Sequence, residues 1–498
     1  MQENKALWLA FDQGTQSSRA AIFDARGELV ELCQVPVTLN RISSSKIEQD
    51  GTEIVESVLH AMQEVFSRVD QSRVVAAGMA TQRSSVIAWD RRSGKPLSKV
   101  ISWQDVRGQE FVASFDDETR AKIQQRSGLP LSPHYGASKI RWLLDDLRST
   151  KSNPIAEDDI CIGPLASFLL FHLIEDKTVC QVDHANGGRT QLIGLQQREW
   201  DDDLLASFGI PKSVLPVARP TRFEYGKLKG TEIPFRVCQG DQTAAVFGYG
   251  NLPTGTAHVN LGTGGFVLSP VDNLESIRQQ ERLPLLISLA DSSENVATYF
   301  LEGTINGAGS AVKWAAKRFG LESVESNLDT WAAEVEQPPL FFNSVGGIGS
   351  PIWKANPSAE FANCWFNESL EPIQMDNVRA NEAMVGVLES IVFLVAMNIA
   401  AMRDLGVETS TLRLSGGVAA SESLCQKLAD LTHCRIARPQ EAESTLLGVA
   451  HLLAASHHQS KSAFEISSTE QFAFEPRSNP QLQERYRAFK RLMSEKLG

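Results

Sequence analysis

The stretch LWLAFDQGTQSSRAAIFD, residues 7–24, decides how the rest of the chain is read. Residues 7–11 form an apolar, β-prone run of the length of a buried strand. Asp12 stands at its end, Gly14 and Thr15 force a tight turn, and residues 20–23 read as the returning strand. A second turn at 24–27 leads to a third strand over 28–32. A glycine turn between strands directs successive backbone N–H groups to one side, where they suit phosphate oxygens. A carboxylate at a strand end suits a hydrated Mg²⁺, which keeps most of its waters. An ordinary β-meander whose Asp and Thr satisfy the turn fits the same residues, and from this stretch alone it is the favoured reading.

Outward from there, Val74–Thr81 (VVAAGMAT) reads as a buried strand followed directly by Gln82, Arg83, Ser84 and Ser85. Residues 86–89 form another strand, and 100–103 repeat the pattern, ending in Gln104, Asp105 and Arg107. Polar clusters at strand ends are where ligand sites of such sheets lie. Helices are expected over 52–69, 107–115, 138–147 and 164–174, and a Gly-rich loop (ANGGRT) over 185–190. Residues 237–247, VCQGDQTAAVF, read as strand, turn and helix start, with Gly240, Asp241 and Gln242 at the junction. Soon after, AHVNLGTGGFVLS at 257–269 repeats the opening stretch in miniature. Two glycine hairpins half a chain apart suggest a duplicated fold holding a nucleotide between its halves. A strand at 297–301, a glycine-rich turn becoming a helix over 303–317, and a long apolar helix over 379–404 follow. A strand at Thr411–Ser415 then leads through Gly416 and Gly417 into a helix reaching 429, with a further apolar helix over 445–456.

A chain of 498 residues exceeds a single core, so two large domains are expected, over 1–248 and 249–456. The remainder, 457–498, reads as a polar, Ser-rich segment and a charged peripheral helix. A net charge of −12 argues against a nucleic-acid partner. The best membrane-span candidate, 390–402, is too short and carries Asn398, so it reads as a buried helix and no membrane partner is expected. Seven cysteines without a CxxC, behind an opening MQENKA unlike a signal peptide, predict reduced thiols and a cytoplasmic protein.

The ordered series DQGTQSSRA, TQRSS, WQDVR, GDQTAAVFG, NLGTGGF, EGTINGAGSAVKW and SGGVAAS resembles the FGGY family of carbohydrate kinases, the glycerol kinase branch in particular. The likeness runs from Leu7 to about Ala455. It implies an α/β fold of two actin- or hexokinase-like (ribonuclease H-like) domains, each a mixed five-stranded sheet flanked by helices. ATP would lie in the cleft with the acceptor beneath its γ-phosphate. By this likeness Asp12 holds Mg²⁺ through water, and Gly14, Thr15, Gln16 and Arg19 line the phosphates. Gly262 and Thr263 contact the phosphate tail, Gly309 and Lys313 border ribose and adenine, and Gly416, Gly417 and Ser421 close the adenine slot. Arg83, Ser84, Trp103, His134, Tyr135, Asp241, Gln242 and Phe266 line the acceptor pocket, with Asp241 as the catalytic base. A homodimer or homotetramer is expected.

The chemistry fits these residue types. Phosphoryl transfer to an alcohol needs in-line positioning, charge neutralisation and a carboxylate that takes the hydroxyl proton. Arg83 has forked donors for two hydroxyls, and Trp103 and Phe266 can pack on a polyol skeleton. Plainer readings stand beside these: Asp241 as a helix cap, Asp12 as a turn-satisfying residue, Arg83 in a surface ion pair, Trp103 and Phe266 as core, His134 as pocket wall, Lys313 on a solvated face. The His457–His458 doublet looks like a metal pair but reads as a solvated turn.

Several positions depart from glycerol kinases. Ser84 stands where they carry Glu, His134 where they carry Tyr, Gln16 for a second Thr, Lys313 for Gln and Ser421 for Asn. The lost carboxylate at 84 predicts an acceptor other than glycerol, a larger polyol or a ketose. The alternatives are glycerol kinase proper and a catalytically weak sugar- or nucleotide-binding paralogue acting as a sensor.

Overall fold

The computed structural model describes residues 6–149, 156–280, 283–322, 324, 326–355, 357–362, 373–439, 443–457 and 470–498. His458 of the histidine doublet, and nearly all of the Ser-rich segment, lie outside the described residues. The chain forms two compact units. The first comprises Met1–Asn251, Ile287–Tyr299 and Ala442–Ser467; the second comprises Leu252–Leu286, Phe300–Glu441 and Ser468–Gly498.

The sheet of unit 1 grows from the opening meander. Leu7–Gln13 pairs antiparallel with Ser17–Asp24, which pairs antiparallel with Leu29–Pro36. On the other side Leu7–Gln13 runs parallel to Val74–Thr81, and that strand runs parallel to Pro234–Gly240. Arg222–Lys227 is added antiparallel at the far edge. Leu7, Leu9 and Phe11 share one core with Ile22, Met79 and the buried face of the helix Gly51–Phe66. The Asp50 carboxylate starts that helix by accepting from the N–H groups of Thr52 and Glu53. A second sheet carries Val86–Asp90 between Ile160–Pro164 and Val100–Ile101 and packs on the helix Gly136–Ser149.

Unit 2 repeats the order. Thr256–Leu261 is antiparallel to Gly265–Val271 and parallel to Thr411–Ser415, which is parallel to Arg435–Pro439; Ala297–Ile305 neighbours Gly265–Val271. Counting the five central strands of each sheet outward from the hairpin, both share the order 3-2-1-4-5, with the glycine hairpin joining strands 1 and 2. This is the duplication that the two hairpins announced; the expected five strands become six in the first sheet and seven in the second, where Leu286–Ser292 and Glu470–Phe474 extend the two edges.

Some local expectations change. The Gly-rich 185–190 segment is not a loop: His184–Gly188 is a helical turn, begun by Asp183, whose carboxylate accepts from Asn186 N–H. The expected helix at 107–115 shrinks to Gln109–Ala113, and Asp117–Ser127 is a helix that the sequence reading left out. Its polar surface explains the omission, since only Ile123 and Ser127 are buried. The helix after Gly416 is interrupted at Ser421, where a 3-10 turn gives way to Glu422–Thr432. The apolar helix Ser444–His457, expected in the second domain, packs within unit 1. Gly448 lets it approach the helix Asp241–Phe247 so closely that a Cβ there would lie 1.8 Å from the Ala244 carbonyl oxygen.

Ala380–Asp404 is long and apolar enough to cross a membrane, but 89% of its most apolar window is buried inside the protein. It is the core helix of unit 2. Its Glu389 accepts from Lys427 and from Arg485 of the helix Pro480–Leu497. That last helix, charged outside, therefore packs through Arg485, Phe489 and Leu492 rather than standing off the fold.

Candidate functional site

In unit 1 the candidate residues converge at the ends of the parallel strands. Asp12 and Arg19 sit opposite each other in the antiparallel register that the hairpin sets, and the Arg19 guanidinium donates to the Asp12 carboxylate. The other arm of Arg19 donates to Glu443, a partner with no signal in the sequence. Asp12 is 3% exposed. Burial pushes its pKa up to about 6 although the Arg19 cation draws it down; the charges of Asp241 and Glu443 add to the rise. That mutual influence places Asp241 within electrostatic reach of Asp12. The turn closes through Gly14 N–H on Ser17 O at 2.9 Å. Gln16 is exposed at its tip.

Asp241 begins the helix Asp241–Phe247, directly after the strand Pro234–Gly240. It does not cap that helix from outside: Gly240 is the N-cap, and Asp241 Oδ1 accepts from the adjoining Gln242 N–H at 2.7 Å. Arg83 is 8% exposed with its Nε 3.7 Å from Asp241 Oδ1, so it is no surface ion pair. Gly240 makes that geometry possible, because a Cβ there would lie 2.8 Å from Arg83 Cγ and Cδ.

The next residue, Ser84, is nearly buried and adopts a left-handed backbone, φ +65°, which is uncommon for a residue with a side chain. Trp103 is 40% exposed, hence not core, and its indole N–H donates to Thr15 Oγ1 at 3.0 Å. This bond ties an acceptor-contact candidate to the phosphate hairpin. His134 is exposed at the same rim, with Nδ1 3.4 Å from the Trp103 carbonyl oxygen. Tyr135 is buried beneath the Arg189 guanidinium, 5.4 Å from its ring centre.

Three buried side chains hold these pieces together, of which the sequence reading singled out only Gln82, in its strand-end cluster. Gln82 Nε2 donates to Gln13 Oε1 at 3.0 Å and Gln49 Oε1 at 2.9 Å. Gln82 Oε1 accepts from Ser85 Oγ, which in turn accepts from Trp103 N–H, each at 2.9 Å. Gln49 Nε2 donates to the Thr15 carbonyl at 3.0 Å. Lys139 is the third.

In unit 2 the hairpin turn at Gly262–Thr263 receives the start of the helix Gly309–Phe319. Gly309 N–H donates to Gly262 O and Ser310 N–H to Thr263 O, both at 2.9 Å. A Cβ on Gly309 would lie 2.7 Å from Gly262 O. Gly416, at φ +91°, passes against Leu261 on the other side of the same turn. Gly262, Thr263, Gly309 and Gly416 therefore come together; Lys313 is exposed one turn along the helix, and Gly417 is exposed beside Gly416. Ser421 is buried, and its hydroxyl donates to Asp329 at 2.6 Å while accepting from Leu424 N–H. Its position is that of a helix cap. Phe266 lies on the returning strand, opposite Asn260.

Among the described residues no group of three or more His, Cys, Asp or Glu side chains is arranged to hold a metal ion.

Residues 7–248 match the N-terminal domain, and 257–457 the C-terminal domain, of the FGGY family of carbohydrate kinases. The chain is 32% identical over 454 residues to a glycerol kinase of Geobacter sp. (strain M21), covering 89% of each protein. It is 33% identical over 484 residues to one of Borreliella afzelii (strain PKo), covering 94% of this chain and 93% of that protein. Its fold is that of the Plasmodium falciparum glycerol kinase crystallised with ADP, at a TM-score of 0.85 and 24% identity, with 99% of this chain and 98% of that one covered. It is also that of a xylulose kinase from Lactobacillus acidophilus, at 0.82 and 19%, with 98% and 97% covered. The FGGY carbohydrate kinases are thus the family to which this chain belongs.

Proposed function

We propose that the chain is an ATP- and Mg²⁺-dependent kinase that phosphorylates a hydroxyl group of a small polyol or sugar other than glycerol. The observation that carries this reading is the pairing of Arg83 with Asp241 at the strand-end junction, in electrostatic reach of Asp12. In this reading Asp241 takes the acceptor's hydroxyl proton as that oxygen attacks the γ-phosphorus in line and ADP leaves. Arg83 lies against Asp241 and orients acceptor hydroxyls through its forked guanidinium. Arg19, released from Asp12, neutralises phosphate charge, while the Thr15 hydroxyl and Trp103 align the acceptor below it. Asp12 would hold Mg²⁺, which when bound offsets the charge on the transferring group. The glycine turn of unit 2 gives the nucleotide close backbone approach at Gly262, Gly309 and Gly416.

The acceptor preference rests on Ser84, a short neutral side chain where glycerol kinases carry a glutamate, so that one carboxylate partner for the acceptor's hydroxyls is gone while Asp241 remains beside Arg83. Measuring ADP release against glycerol, tetritols, pentitols and five- to seven-carbon ketoses tests it. The highest kcat/KM is expected for one of the larger acceptors; glycerol ranking first would establish the second reading, glycerol kinase proper, which the naming of the relatives favours. Arg83→Lys is expected to lower kcat/KM for the preferred acceptor by about 10- to 100-fold through loss of the fork. Its KM for ATP should not change, and initial-rate kinetics with each substrate varied will show whether it does.

A further inference from the structure

We infer that Lys139 is the positioning residue of the acceptor site, its ammonium gathering the carbonyls of the three separate segments that carry the acceptor-contact side chains. The inference rests on the acceptor pocket proposed above and deepens it. Lys139 lies on the helix Gly136–Ser149 with none of its surface exposed. Its Nζ donates to His134 O at 2.8 Å, Ser102 O at 2.9 Å, Ser84 O at 3.1 Å and Trp103 O at 3.2 Å. An ammonium has three N–H donors, so four carbonyls share them and every hydrogen is used.

Neutralisation by an ion pair does not account for this lysine. Asp105, the acid nearest to it in effect, is engaged by Arg107 and by Ile47 N–H. Burial draws the Lys139 pKa down to about 7, and the dipoles that stand in for water around its charged form belong to Ser84, Ser102, Trp103 and His134. Ser84, Trp103 and His134 are three of the residues in the acceptor set, drawn from chain segments 55, 36 and 5 residues away from Lys139. Ser84 supplies an independent sign of constraint. Its left-handed backbone persists only where the surroundings over-determine it, and the bond from Lys139 to its carbonyl is one such determinant. Lys139 touches no substrate: it fixes the rim on which Arg83, Trp103 and His134 are presented.

The test is Lys139→Met in the full chain, with Lys139→Gln, which retains two donors, as its companion. Hydrogen exchange should quicken at residues 84–86, 102–104 and 132–135 and stay unchanged at the unit 2 hairpin and in Ala380–Asp404. KM for the acceptor should rise about tenfold or more, with KM for ATP unchanged and Lys139→Gln intermediate. A lowered Tm with unaltered exchange in those three segments, or equal changes in both KM values, would overturn the assignment. So would failure of both variants to fold, since the lysine would then support the whole unit. If the unaltered protein phosphorylates no acceptor, the kinase reading fails, while the exchange pattern still decides what Lys139 does.

Discussion

Asp241→Asn is expected to lower kcat by about three orders of magnitude while leaving KM for ATP within a factor of two, because a positioned general base contributes roughly 10²–10⁴ in rate. The substitution preserves shape: asparagine keeps the Oδ1 that accepts from Gln242 N–H, so the helix Asp241–Phe247 should start as before. What it removes is the only function an amide cannot perform, acceptance of the attacking hydroxyl's proton. Because Arg83 loses its carboxylate partner, KM for the acceptor should rise modestly as well. Steady-state kinetics with both substrates varied, and equilibrium binding of ATP to the variant, separate these effects. A variant that retained turnover would show that proton transfer runs through another group. A ligand response independent of residue 241 would favour the sensor reading, since a sensor has no need of a base.

The parts of this site that were legible in the sequence are those with a local signature. The hairpin around Gly14 and Thr15, the Gly240–Asp241–Gln242 junction and the second hairpin at Gly262 each combine an apolar strand with turn chemistry, and the strands follow. Pairing Asp12 with Arg19 needs only the register of that hairpin. Lys139, Gln49 and Glu443 have no such signature. Each is a polar side chain with partners tens or hundreds of residues away, and a buried lysine on a helix reads in sequence as a solvated one. The chain geometry is what converts Lys139 from a surface residue into the hub of three carbonyl-bearing loops. The boundary of the first unit was illegible for a related reason: the helix Ser444–His457 returns to pack on Asp241–Phe247 and Leu7–Gln13, and local pattern carries no record of which partner an apolar helix will find. Conversely, Ser421 read as a nucleotide contact sits where its hydroxyl is taken up by Asp329 and the helix start, and only tertiary packing shows that.

Asp12→Asn should separate stability from activity. In the ligand-free protein the Asp12 carboxyl has a folded pKa of about 6 against an ordinary 3.8, caused first by burial, opposed by Arg19 and reinforced by Asp241. A raised carboxyl pKa means that the folded state binds protons more tightly than the unfolded chain, so stability is full below pH 4 and falls as pH rises through 6. Two pKa units correspond to about 3 kcal/mol at neutral pH. Asparagine carries no charge at any pH, and Glu443 still engages Arg19. The variant is therefore expected to melt several degrees above the parent at pH 8 and close to it at pH 4, with the crossover read by calorimetry across that range. Turnover should move the other way, falling about a hundredfold or more and needing far higher Mg²⁺ for what remains, since the residue assigned to the hydrated cation is gone. A variant that lost stability at pH 8 would mean that the Asp12–Arg19 pair outweighs its burial cost; one that kept the parent's Mg²⁺ dependence would move the cation to another carboxylate, with Asp241 and Glu443 the acids in reach.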